Sequence, residues 1–126
     1  MKIRLLVLSS LLGITSVWGH HSLAAEYDTS KPVTIKGTIS SIDWRNPHAW
    51  VYLDVKNESG AVEKWQVELG SPNAMQRMGW HQKDAKVGDE LVVEGVMARD
   101  GSKTCRSRNI KFPDGRIVYS QSQQKY

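Results

Sequence analysis

The sequence predicts an all-β domain with one short helix, built as a small five-stranded Greek-key barrel of the OB-fold kind. Three observations carry that expectation. Side chains alternate in polarity with a period of two along five stretches. Turns bearing Gly, Asn or Pro separate those stretches. A single helix signal stands between the third stretch and the fourth, where such a barrel needs a plug. An open β-sandwich or roll with the helix at one edge is the alternative architecture for the same elements.

Each element has its own residue-level reason. Val33, Ile35, Gly37 and Ile39 alternate with Thr34, Lys36, Thr38 and Ser40, which gives a first strand running to about Asp43. Arg45-Asn46-Pro47 is a turn. From Ala49 to Lys56 the second strand sets Val51, Leu53 and Val55 on one face and Trp50, Tyr52 and Asp54 on the other. The polar run Asn57 to Gly60 makes a hairpin loop, and Ala61 to Leu69 returns with Trp65, Val67 and Leu69 opposite Lys64, Gln66 and Glu68. Ser71-Pro72 then offers an N-cap with proline at the first helical position, and a short helix over Asn73 to Met78 stops at Gly79. A fourth strand covers Glu90 to about Ala98, Asp100-Gly101 turns the chain, and a fifth covers Thr104 to Phe112. After the Pro113-Asp114-Gly115 turn, Arg116 to Tyr119 suits a short terminal strand.

The first 19 residues read as a secretory signal peptide. Lys2 and Arg4 open it, an apolar stretch follows from Leu5 to Ile14, and Val17-Trp18-Gly19 puts small residues at the −3 and −1 positions of a cut after Gly19. Cuts after Ala24 or Ala25 are the alternatives. The apolar run falls short of the ~20 residues that span a bilayer, and no Cys stands near the cut to take a lipid. A periplasmic or secreted protein is therefore expected, with no transmembrane segment in the mature chain. It divides into an N-terminal tail (20–32), one barrel domain (33–119) and a polar C-terminal tail (120–126). Loss of Lys2 and Arg4 lowers the net charge from +4 to +2, so the precursor's basicity gives no reason to expect a nucleic-acid partner. Cys105 is the only cysteine, which excludes an internal disulfide and fits a small, half-buried strand residue.

Several short motifs are shared with a known family. His20-His21-Ser22, Lys31-Pro32-Val33, Asn46-Pro47-His48-Ala49-Trp50, Glu68-Leu69-Gly70-Ser71-Pro72-Asn73, Gly79-Trp80 and Val87-Gly88-Asp89-Glu90 span nearly all of the mature chain. In these the sequence resembles the domain-of-unknown-function 6152 family of small exported bacterial proteins. The resemblance implies export and a small OB-like β-barrel, and it carries no activity with it. More distantly, the layout resembles the periplasmic bacterial OB-fold proteins, which suggests ligand or ion binding by analogy of fold alone.

The chemistry has to come from side chains. All four histidines, His20, His21, His48 and His81, lie beyond Gly19. A cut after Gly19 gives His20 a free amine, with a reference pKa of about 7.7 to 8.0, beside an imidazole near 6.5, and a metal ion deprotonates both at neutral pH. A second imidazole completes the three-nitrogen, T-shaped site known in copper proteins as a histidine brace. Tetragonal nitrogen ligation suits Cu(II), which heads the divalent affinity order. His21 offers another mode, through its ring, its own amide and the terminal amine. His48 is the candidate third ligand, because the Asn46-Pro47 turn sets it at the mouth between the first two strands. Residues 20–32 extend roughly 40 Å at about 3.3 Å each, enough to fold back to that mouth. Glu26 and Asp28 nearby make a mixed nitrogen and oxygen site for zinc the alternative. Met75 and Met78 at helical spacing read as core packing rather than a Cu(I) site.

A second class of function rests on aromatic residues. Five tryptophans stand against one phenylalanine, and if Val51 and Leu53 fill the barrel, Trp50 and Tyr52 form an outer platform for a small ligand or a periplasmic protein. Cover by the N-terminal tail or the helix is the alternative fate of that face. Arg99, Lys103, Arg106, Arg108 and Lys111 read as a solvated basic edge. No nucleophile elbow, phosphate loop, paired-cysteine zinc motif or helical His-Glu-x-x-His is present, so an enzyme is the minor reading, kept only as a copper-dependent oxidative activity that needs the brace, an open coordination position and a substrate face.

Overall fold

The period-two stretches form strands because each one buries every second side chain against the others. The structure, a computed structural model, describes residues 22–121. In chain order these form α1 (Leu23–Glu26), β1 (Tyr27–Asp43), β2 (Trp50–Lys56), β3 (Val62–Glu68), α2 (Pro72–Arg77), β4 (Glu90–Ala98), β5 (Thr104–Lys111) and β6 (Ile117–Ser120). The segment expected as a signal peptide, the His20-His21 pair and most of the expected C-terminal tail lie outside the described residues.

Antiparallel pairing gives the order β3-β2-β1-β4-β5-β6, and a parallel pairing of β3 with β5 joins the two sides. The circuit β1-β2-β3-β5-β4 and back to β1 is the closed barrel of an OB-fold. Closure rests on the pairs Gln66↔Thr104, Val67↔Cys105 and Glu68↔Arg106. β6 continues beside β5 through Asn109↔Ser120, Ile110↔Tyr119 and Lys111↔Ile117, adding a sixth strand to the five expected. Register shifts in β1 between Ile39 and Ser41, and in the β4–β5 pair after Glu94, bend the strands as a small barrel requires.

Ile35, Ile39, Val51, Leu53, Val67, Leu91, Val93, Cys105 and Ile110 point inward and are buried. Val51 and Leu53 thus decide the faces of β2: Trp50 and Tyr52 point out of the barrel, each half-buried. The plug is α2 and the turn after it. Ser71 Oγ accepts the Ala74 N–H at 3.2 Å, Pro72 opens the helix, and Met75 and Trp80 are fully buried over the barrel end. Met75 and the half-buried Met78 therefore pack in and against the core.

Two boundaries differ from expectation. The stretch expected as a tail is structured from Leu23 onward, and β1 begins at Tyr27 rather than Val33. The reason is backbone pairing: Tyr27↔Ala98 and Asp28↔Met97 extend the β1–β4 ladder across a register shift that loops out residues 29–31. A second short helix, α1, precedes it. Among the described residues no helix is long and apolar enough to cross a membrane.

Candidate functional site

The site lies on the outer face of the barrel, over the seam where β3 meets β5. Glu68 is the last residue of β3, on the outward pleat between the inward Val67 and Leu69, opposite Trp50 on β2 and Arg106 on β5. An outward glutamate would ordinarily be solvated, yet Glu68 is only 3% exposed. A buried carboxylate needs donors, and three reach it. The Tyr27 hydroxyl donates to Oε2, and His48 Nδ1 and Arg106 Nη1 approach Oε1, the latter at 3.3 Å. Arg106 Nη1 also donates to the Leu69 carbonyl, and Ser107 Oγ donates to the Glu68 carbonyl at 3.0 Å.

Local backbone structure brings these side chains together. His48 belongs to the loop between β1 and β2, and its neighbour Ala49 is pinned to the end of β3 on both sides. The Ala49 N–H donates to the Gly70 carbonyl and the Leu69 N–H to the Ala49 carbonyl, each at 2.9 Å. The loop therefore hangs over Glu68. The His48 side chain is 44% exposed, and with Nδ1 turned to the carboxylate, Nε2 carries no hydrogen bond among the described residues. A carboxylate on one ring nitrogen fixes the tautomer and makes the other nitrogen a better ligand. Tyr27 comes from the opposite direction. Burial, then its hydrogen bond to Glu68, pushes its phenol well above the ordinary tyrosine range, so it holds its proton as a donor.

The N-terminal segment is fastened beside this cluster. The Arg99 N–H donates to the Glu26 carbonyl at 2.8 Å and Arg99 Nε to the Ala24 carbonyl at 2.7 Å. The segment also walls a groove of about 800 Å³, lined by Ala25, Tyr27, Trp50, Gln66, Arg99 and Thr104 among others. Trp50 lines that groove, and Tyr52 stands beyond its lining on the same outward face of β2. His81 lies apart, with Nδ1 3.3 Å from Asp84. The expected basic edge is largely paired: Lys103 with Glu63 at 2.8 Å, Lys111 with Glu94 at 3.2 Å and Arg106 with Glu68. Among the described residues no three His, Cys, Asp or Glu side chains converge.

The sequence profile of the family of unknown function DUF6152 matches residues 8–107. The chain belongs to that family. No curated protein matches it. The DUF6152 match takes in Tyr27, His48, Trp50, Glu68 and Arg106, so the whole carboxylate cluster lies inside the family's span, while β6 lies beyond it. Of the cluster, sequence reasoning singled out His48 as a ligand and missed Tyr27, Glu68 and Arg106 in their paired role. The available signal was a tyrosine in the supposed tail and a glutamate one residue before the Leu69-Gly70 turn.

Proposed function

We propose that this protein is an exported binding protein that holds a metal ion, copper in preference to zinc, through the amine and ring of His20 after a cut behind Gly19, with His48 as a further ligand and His21 as its substitute. The observation that supports this reading is the posture of His48, whose Nδ1 is held by a buried carboxylate while Nε2 is left to a ligand. Chain length is compatible. His20 stands seven residues before Tyr27, four of them in α1, a reach of at most ~16 Å, and the Tyr27 side chain ends on the same carboxylate as His48.

The test is Cu(II) and Zn(II) titration of the secreted protein, whose first residue is established by intact mass. It is run beside a form carrying one extra N-terminal alanine and beside His48→Ala. Copper affinity is expected to fall about tenfold or more in both altered forms. Equal affinity in all three sinks the reading.

A second reading rests on the groove. Its wall of one tryptophan and several hydrogen-bonding side chains fits a small polar ligand with a flat face. Ligand binding lost in Trp50→Ala and kept with the blocked N-terminus would favour it.

A further inference from the structure

Glu68 meets two parts of the chain that the sequence keeps far apart. Its Oε2 takes the Tyr27 hydroxyl, at the root of the N-terminal segment, and its Oε1 takes His48 Nδ1, on the loop before β2. Both Tyr27 and Glu68 are 3% exposed, so the contact between them is shielded from water, while His48 meets the carboxylate from its solvent side. Arg106 holds the carboxylate from the β5 side. We infer that Tyr27 and Glu68 are positioning residues that bring the N-terminal segment and His48 to one place by tying each to a different oxygen of a single buried carboxylate. The metal-ligand part of this inference rests on the function proposed above. The docking part does not.

The physical case is a matter of what each bond fixes. Contact with Oε1 turns His48 Nδ1 to the carboxylate, so Nε2 is the atom presented. Donation from the phenol sets where the segment leaves the barrel, because Tyr27 is followed at once by the β1–β4 ladder and preceded by the turn that Arg99 clasps. With both ends of the bridge fixed, the described part of the segment, Leu23–Glu26, starts from a set point beside Glu68. Without the phenol bond the segment loses its tie to the His48 side of the site, and the Arg99 clasp, left to hold it, opens more often.

The experiment is Tyr27→Phe, which keeps the buried ring and deletes one hydroxyl. In the metal-free mature protein, hydrogen exchange is read at the Arg99 amide, which donates to the Glu26 carbonyl, and at Ile35 and Val93 in the body of the ladder. Faster exchange at Arg99 with Ile35 and Val93 unchanged is the expected result, and unchanged exchange at Arg99 overturns the docking role. In the same variant Cu(II) affinity is expected to drop by about tenfold, with an altered Cu(II) paramagnetic resonance spectrum. In the form blocked by an extra alanine, Tyr27→Phe should then have no further effect. An unaltered spectrum and affinity in a wild type that does bind copper overturns the positioning role. A wild type that binds no copper removes the metal reading and the ligand-positioning role with it, while the exchange data still decide docking. Glu68→Gln provides the second variant, expected to reproduce both changes.

Discussion

Cys105 shows how completely burial decides a side chain's chemistry here. Its residue is fully buried on β5, between Val67 on β3 and Met97 on β4, and burial pushes its thiol up to about 12. The thiolate is the reactive form, so at pH 8 the native protein should not react with an alkylating reagent, and urea should expose one reactive thiol per chain. Labelling at pH 8 that is as fast in the native protein as in urea would contradict this. The same shift has a sign in stability. In the unfolded chain the thiol ionises near its ordinary value of 9.0, while the folded protein keeps the proton until about 12. Stability should therefore be unaffected by this group below pH 9 and fall as pH rises from about 9 to about 12. Denaturant midpoints measured across that window should fall less steeply in Cys105→Ala. Burial of Tyr119 raises its phenol and adds a loss of the same sign.

At the scale of elements, the bend of β4 and β5 depends on a glycine. Gly95 sits at the register shift, and a Cβ built there would lie 2.2 Å from the Arg106 carbonyl oxygen, a backbone atom that cannot swing aside. Gly95→Ala is expected to cost about 3 kcal/mol, at the upper end for overpacking, and to loosen the β4–β5 pairing beside the site; a urea titration checks it, and a loss below about 1 kcal/mol would contradict the clash. Such close approach is invisible in a sequence, where Gly95 reads only as a gap in the Val93, Val96 pattern. Alternation was enough for β1 from Val33 onward, for β2, β3 and β5, and the Ser71-Pro72 start was enough for α2. The residues 27–32 were not legible as strand, because Asp28, Thr29, Ser30 and Lys31 offer no apolar alternation and Pro32 reads as a break. Their strand character comes from pairing with Met97 and Ala98, a partner that only the fold supplies.

At the scale of the whole molecule, the candidate site and the barrel's closure are the same place. β3 and β5 meet in three residue pairs, one of them Glu68 with Arg106, and the Arg106 and Ser107 side chains stitch the end of β3 from the β5 side. This explains why the site was only half legible: His48 stands out in a turn, but Glu68 and Arg106 read as ordinary outward charges until the barrel closes and Tyr27 covers them. It also predicts that disturbing the site disturbs the fold. Arg106→Ala leaves a buried carboxylate without its cationic partner, and removal of one partner of a buried ion pair costs about 3 kcal/mol or more. Lys64→Ala, by contrast, breaks an exposed cross-strand pair between β3 and Asp54 on β2, and surface pairs are worth less than about 1 kcal/mol. Urea unfolding of the two variants should therefore separate them by about 2 kcal/mol or more. Equal, small losses would mean that the seam is held by its backbone pairing alone, and that Glu68 is free to serve the site without serving the barrel.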